Sequence, residues 1–370
     1  MTQPRNFGFG EEQEMLKEAA RRFCEDKQPL TALRQATSGT EDPYLSDERP
    51  GFHDPALWQE MVALGWTALA VPEEAGGAGM NLVTAVAVAE EIGRAAMPTP
   101  LTSTLQATFV LREAGTAEAL SWLEKISGGM SASLAIQGSD GSLQPEVSVE
   151  EDRLSGTAPY VQDLQKVDFL IVSAQGNNGP GLYAVETSAD GVACSFDKIV
   201  DLTRDQGRIT FSNAEAICLT GDGGACVDRA LPALLTLVAA DIAGGCEWLT
   251  QATAEYASVR TQFDRPIGFF QAVKHPIVNM MITADETRSL VYNAACAYDT
   301  EPETAHRAAH LAKSSAADTA EFCANRATQL HGGIGFTWEH DVQIYHKRQI
   351  HSQHLYGDGY WHRREASNYL

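Results

Sequence analysis

The stretch from Leu231 to Gln271, LPALLTLVAADIAGGCEWLTQATAEYASVRTQFDRPIGFFQ, constrains this chain more than any other. Its first half is almost wholly apolar and carries an acid. It ends abruptly at Arg260-x-Gln262-Phe263-x-Arg265-Pro266-Ile267 and Phe270-Gln271. At about 100° per residue, Leu234, Val238, Asp241, Gly245, Trp248 and Ala252 share one side of a helix. Asp241 is then the single charge on an apolar face. Two readings stand open: a carboxylate with chemistry to perform, or a polar exception at a helix bend beside Gly244-Gly245.

A chain of 370 residues exceeds one compact core of ordinary size, so two or three domains or layers are expected. With 44% apolar residues it should fold rather than stay disordered. The formal charge of −22, from 27 basic and 49 acidic residues, would repel nucleic acid and anionic lipid. Any anionic ligand must therefore be held by a local basic cluster. No stretch approaches the roughly 18 to 20 uncharged apolar residues that span a bilayer, and MTQPRNFGFGEEQEM has no apolar run behind a basic start. The seven cysteines are scattered, with no CxxC or Cys/His metal spacing. A soluble cytoplasmic protein with buried thiols and no metal is expected.

Glu11 to Lys27 reads as a helix, stopped by Pro29; Thr37 to Phe52 reads as a surface loop. A second helix starts at Asp54-Pro55 with Leu57, Met61 and Leu64 inward. A turn at 72–79 leads into a long helix around Val83 to Arg94, followed by helical runs at Leu105–Ala114 and Glu118–Ile126. Near Ser131 the pattern turns to short β-branched runs: Leu134–Gln137, Val147–Val149, Phe169–Ala174, Leu182–Glu186, Val192–Phe196 and Arg208–Phe211. Helical periodicity returns at Cys226 and continues to about Tyr356. The expected fold class is α+β: a helical N-terminal domain (1–130), a middle β barrel or sandwich (131–222) and a helical C-terminal domain (223–370).

That order, and the wording of several stretches, resembles the acyl-CoA dehydrogenase family along nearly the whole chain. The similarity begins at Leu69-Ala70-Val71-Pro72-Glu73-Glu74, Gly76-Gly77-Ala78-Gly79 and Glu90-Glu91-Ile92-Gly93-Arg94. It is strongest at Arg260-x-Gln262-Phe263-x-x-Pro266-Ile267-x-x-Phe270-Gln271 and at Gln329-Leu330-His331-Gly332-Gly333-Ile334-Gly335-Phe336-Thr337. The resemblance implies that the C-terminal domain is a four-helix bundle. It also implies FAD as cofactor, an acyl-CoA substrate, an electron-transfer flavoprotein as acceptor, and an oligomer in which Arg260, Gln271, Gln329 and Gly333 reach FAD across a subunit interface. Gln262, Phe263 and Gly332 belong to the same two motifs. The chemistry agrees: an arginine forks onto a diphosphate, glutamine offers an amide donor and acceptor, and glycines admit close backbone approach.

Three departures from the family pattern carry as much weight. The glutamate base that normally follows a C-terminal arginine by nine residues would fall, counting from Arg348, on Gly357; Asp358 lies one step on. The alternative family position on the central helix falls on Leu234, two turns before Asp241. Asp241 is therefore the tentative base, its pKa raised by burial; the plain alternative is a hydrogen bond to a neighbouring helix or to a lysine such as Lys274. The flavin-covering loop retains Gly138-Ser139-Asp140 but not the preceding Thr-Glu-Pro, and the segment that packs on the flavin reads Tyr160-Val161-Gln162. A sound adenine end with a weak flavin end suggests one subunit of a heteromeric steroid side-chain enzyme; the expected assembly is a homo- or heterotetramer, the latter α2β2 with a paralogous chain. A catalytically silent partner subunit, and a flavoenzyme that reduces oxygen, are the competing readings. Six C-terminal histidines with Lys347, Arg348, Arg363 and Arg364 suggest a basic region for CoA phosphates or a neighbouring acidic subunit.

Overall fold

The computed structural model of the chain describes residues 3–4, 6–27, 29–37 and 52–369. The expected loop from Thr37 to Phe52 lies almost wholly outside the described residues. Among the described residues, six α-helices open the chain: α1 (Glu11–Lys27), α2 (Pro29–Thr37), α3 (Pro55–Ala63), α4 (Leu82–Arg94), α5 (Leu101–Ala114) and α6 (Ala117–Ser127). Pro29 ends α1 as expected but also opens α2, because proline fits a first helical turn whose N–H groups lack helical partners. The Asp54 carboxylate caps α3 by accepting from Ala56 N at 2.9 Å and from Leu57 N at 3.3 Å. Leu57, Trp58 and Met61 are buried beneath it, whereas Leu64, expected inward, is the C-cap and is exposed.

The middle of the chain forms one sheet of eight strands: β1 (Ala132–Ala135), β2 (Ser148–Glu150), β3 (Arg153–Gln162), β4 (Phe169–Gly176), β5 (Gly179–Glu186), β6 (Val192–Phe196), β7 (Gln206–Glu215) and β8 (Ile217–Thr220). Strand order is β6-β7-β3-β2-β4-β5-β8, with β1 parallel to β4. The end strands β6 and β8 do not pair with each other, so the sheet is open and the expected barrel is not formed. Sequence periodicity misses β3 and β8. In RLSGTAPYVQ, Gly156 and Pro159 both read as breakers, yet β3 keeps Gly156 paired with Phe211 and accommodates Pro159 where its register against β7 shifts between Ala158 and Val161. At that bulge Tyr160 takes a φ of 59° and is turned out of the sheet's own core.

Five helices close the chain: α7 (Gly223–Val259), α8 (Gln271–Thr300), α9 (Pro302–His331), α10 (Val342–Ser352) and α11 (Gly359–Ala366). A single hydrophobic core joins the first and last helical regions, holding Ala20, Met61, Ile92, Leu237, Met280, Ala320 and Tyr345 together. The sheet is thus inserted between two halves of one helical body. No described helix is long and apolar enough to cross a membrane.

Gly244-Gly245 does not interrupt α7, which runs unbroken through both. These glycines let other segments of the chain approach the helix backbone closely. A Cβ on Gly244 would lie 1.9 Å from the Glu90 carbonyl oxygen, and one on Gly93 of α4 would lie 2.0 Å from the Asp241 carbonyl oxygen. The crossing of α4 and α7 therefore requires glycine on both helices. Gly93→Ala is expected to destabilise the protein by about 1–3 kcal/mol through overpacking. Gly221→Ala, which meets nothing within 4 Å, should be near neutral; urea unfolding of the two variants checks the difference.

Candidate active site

Asp241 lies at that crossing, only 1% exposed. Its Oδ2 accepts from Arg348 Nη2 of α10 at 2.6 Å, and its Oδ1 from Arg348 Nε at 3.2 Å. Arg204, on the connection between β6 and β7, adds a contact at 2.8 Å. Burial alone would raise the Asp241 pKa, but the two guanidinium groups outweigh it and hold the carboxyl below its usual range. That corrects the expected raised pKa. A carboxylate stabilised by two arginines is a poor proton acceptor, so the geometry favours the plain alternative for Asp241, a structural anion. Its partner is also not Lys274, whose ammonium lies near the Phe269 ring beyond the far end of α7.

A cleft of about 550 Å³ opens between the sheet and the C-terminal helices. Its sheet side is formed by Gln137, the 139–142 turn, Tyr160 and Gln206; its helical side by His351, the 354–358 segment and Trp361. The β3 bulge delivers Tyr160, whose hydroxyl donates to Ser139 O at 3.1 Å and so ties the retained Gly138-Ser139-Asp140 turn to the sheet. His351 Nε2 lies 3.2 Å from Gln162 Oε1, linking α10 to the same strand. Burial pushes the His351 pKa down to about 4, so the ring is neutral near pH 7. Behind the cleft lies a more enclosed chamber of about 220 Å³, lined by Leu143, Leu231, Leu235, His310, Tyr356 and Trp361. His310 and the aromatic lining were missed in the sequence; the signal was a lone histidine among the alanines and serines of AAHLAKSSAA.

Neither of the two family base positions, Gly357 and Leu234, supplies a carboxylate. Gly357 has a φ of 119°, and a Cβ on it would lie 2.7 Å from the Trp361 ring, so the position is built for glycine. Leu234 is fully buried and apolar. Two carboxylates do line the cleft, Asp140 and Asp358, and both are exposed local caps. Asp140 accepts from Ser142 N at 2.9 Å and Asp358 from Trp361 N at 2.8 Å. The expected C-terminal basic region is likewise dispersed: Arg348 points inward to Asp241, Arg363 pairs with Asp318, and Lys347 lies over Trp338.

The motif residues Arg260, Gln262, Phe263, Gln271, Gln329, Gly332 and Gly333 gather at the opposite end of the bundle. Arg260 caps the C-terminus of α7, and Gln271 is the first residue of α8. Tyr256 stacks on His331 at 4.4 Å between centroids, bringing the end of α9, with Gln329 and the glycines, to the same place. All seven side chains or backbones are exposed. Phe263 and Asp264 have φ values of 51° and 58°, in a turn where glycine is usual, and Phe263 is 84% exposed. Added Cβ atoms on Gly332 and Gly333 would meet nothing within 4 Å. No ion pair of Arg260 occurs among the described residues. An unpaired guanidinium beside open backbone fits an anionic group that approaches from outside this chain, as the FAD diphosphate would.

Asp241→Asn is expected to cost about 3–5 kcal/mol of stability by leaving two buried arginines undercompensated. Because the folded-state pKa of Asp241 is depressed, its contribution is complete above the usual carboxylate value of 3.8. It is lost as pH falls through the folded-state value. Denaturant melts of the wild type and Asp241→Asn across the acid range should therefore converge at the lowest pH; parallel curves would contradict the assignment.

Comparison with known proteins agrees with this geometry. The acyl-CoA dehydrogenase N-terminal domain family model matches residues 10–129, and the acyl-CoA dehydrogenase C-terminal domain model matches residues 221–357. The acyl-CoA dehydrogenase IpdE2 of Mycobacterium tuberculosis is 33% identical over 346 residues, covering 93% of each chain. The acyl-CoA dehydrogenase FadE34 of the same organism is 32% identical over 354 residues, but this chain spans only 46% of its length. Among solved structures, the steroid ACAD Tcur3481-Tcur3483 aligns with a TM-score of 0.86 and 29% identity over 98% of both chains. The chain belongs to the acyl-CoA dehydrogenase family of FAD-dependent oxidoreductases acting on CH–CH bonds.

Proposed function

We propose that this chain is one subunit of an acyl-CoA dehydrogenase that oxidises a bulky acyl-CoA, such as a steroid side-chain thioester. In this reading it pairs with a paralogous subunit in an α2β2 complex, in the cytoplasm, and passes electrons to an electron-transfer flavoprotein. The observation that carries the reading is the separation of two half-sites on one chain. Leu231, on the chamber wall, and Arg260 lie on the same continuous helix. They are 29 residues apart, roughly 43 Å at the helical rise. An extended dinucleotide does not bridge that distance. The Arg260 end therefore suits a cofactor whose other end lies in the cleft of another chain.

FAD, when bound, supplies the hydride acceptor. This chain's residues would do the rest: Arg260 meets the diphosphate, Gln271 and Gln329 offer amide donors and acceptors, Gly332 and Gly333 admit close approach, and exposed Phe263 packs on the neighbouring subunit. Gln262 shapes the same turn. The proton acceptor supports the heteromeric reading. Gly357 and Leu234 offer none, and Asp241 is committed to its arginines. A paralogous chain that supplies a complete set accounts for this. The relatives lend support: IpdE2 is described as an acyl-CoA dehydrogenase, and the Tcur3481-Tcur3483 structure as a steroid ACAD of two different chains. The absence of a poised carboxylate also favours a second reading, in which the chain only completes its partner's FAD site.

Co-expression with a paralogous chain should give a 2:2 complex carrying FAD, read by native mass spectrometry. A self-sufficient homotetramer with full FAD and turnover would overturn the heteromer. Arg260→Ala should weaken FAD retention by about ten- to a hundredfold, the loss of a charge-assisted contact. The apoprotein melt should hardly move, since Arg260 is exposed and unpaired. Ser142→Trp, which fills the mouth of the chamber, separates the two readings. Lost turnover of the complex supports an active cleft in this chain, and unchanged turnover supports the silent role.

A further inference from the structure

The chamber has one buried polar ring in its apolar wall. Gln137, Gly141, Ser142, Tyr356 and Trp361 line both cleft and chamber and so mark the mouth. Leu143, Leu231, Leu235 and His310 line the chamber alone. His310, on α9, is 2% exposed, and its Nδ1 lies 2.8 Å from Nδ1 of His362 on α11. The other nitrogen of His310, Nε2, is therefore the one left for the chamber. Burial drives the His310 pKa down to about 4 and that of His362 to about 2, so both rings are neutral near pH 7. A neutral pair joined through two Nδ1 atoms holds one proton between them.

Which ring donates follows from the far side of His362. Its Nε2 is buried and has no hydrogen-bond partner. If His310 donated, the spare N–H of the pair would be sealed at His362 Nε2; if His362 donates, that N–H moves to His310 Nε2, on a ring that lines the chamber and can meet a group there. Lys313 donates to Gln353 O at 2.8 Å and Gly357 O at 3.0 Å, so those two N–H groups serve the loop rather than the chamber. His310 then presents Nε2–H to the chamber, an unpaired donor in an apolar enclosure. A buried donor without an acceptor is costly, and a ligand oxygen removes that cost.

We propose that His310, oriented by His362, is a substrate-selecting hydrogen-bond donor, and that the acyl group held in the chamber carries a neutral oxygen acceptor, such as a ketone, at its deep end. This rests on the acyl-CoA reading of the cleft. Neutrality is required because no lining residue of the chamber is a cation to offset a carboxylate. His310 acts in binding and recognition and takes no part in moving the substrate proton.

The test uses the FAD-loaded complex and straight-chain acyl-CoA thioesters of increasing length. Each length is made as a pair, one member ending in a methyl ketone and the other in the same chain without the oxygen. Calorimetric titration should show one length at which the ketone binds about tenfold more tightly than its partner. His310→Phe should abolish that preference while retaining the oxygen-free thioester, and His310→Gln, which restores an amide N–H, should recover much of it. No preference at any length, or a preference that survives in His310→Phe, overturns the proposal. Failure of every thioester to bind an FAD-loaded complex would instead bring down the acyl-CoA reading, and this assignment with it.

Discussion

The carboxylate of Asp241 and its two arginines hold the sheet and the helices in register. Arg204 comes from the sheet region, Arg348 from α10 and Asp241 from the central helix α7, so one ion cluster joins three separate parts of the chain. Thr203 extends it, accepting from Arg348 Nη1 at 2.6 Å and donating to Asp201 at 2.7 Å. Beside it, Lys166 bridges Asp163 at 3.1 Å and Asp205 at 2.9 Å, and Ser103 of α5 donates to Asp163. Removing these charges from water is expensive, and only their close mutual pairing offsets it. Apolar packing alone could slide; a cluster of directional pairs fixes one arrangement. The cleft walls belong to the two bodies that this cluster joins.

The glycines of α4 and α7 act at the same place. Gly93 and Gly244 allow the helices to meet backbone to backbone, and Gly245 leaves room for the Gln349 amide, whose Nε2 donates to Ile242 O at 3.3 Å. The position of α10 is thus set twice, by Arg348 and by Gln349. The segment that follows α10 inherits that position. Lys313 binds its carbonyls, Gly357 turns it, and Asp358 caps α11. Elsewhere the burial of α4 is made tolerable by similar pairing: Glu90 meets Lys17 at 2.6 Å and Arg288 at 2.7 Å, and Glu91 meets Arg21 at 2.8 Å.

The outer end of the bundle follows an opposite logic. There, polar and aromatic groups are left open: Arg260 without a carboxylate, Phe263 in a turn more natural to glycine, and Phe336 76% exposed. For a chain with a formal charge of −22, an uncommitted arginine is a local exception that favours an anion. Inside, Asp241, Glu90 and Glu91 are paired with arginine or lysine; at the outer end, Arg260 has no ion pair among the described residues. The interior arrangement gives stability and the exterior one is suited to binding across a subunit boundary.

Much of this was legible in the sequence, and the parts that were not share a cause. The helices α1, α3 and α4 follow from local periodicity and caps, and the motif from Arg260 to Gln271 identifies the family because its residue types and spacing are specific. Strand β3 was hidden because Gly156 and Pro159 read as breakers, and only the pairing with β7 accommodates them. The open sheet likewise depends on which edges meet. Asp241 shows the limit most plainly. The sequence determined that a lone acid would lie on an apolar helix face. Only the tertiary structure decided its character, because a buried carboxylate's pKa depends on its neighbours. Arg204 and Arg348 are 37 and 107 residues away in the chain and a hydrogen bond away in space.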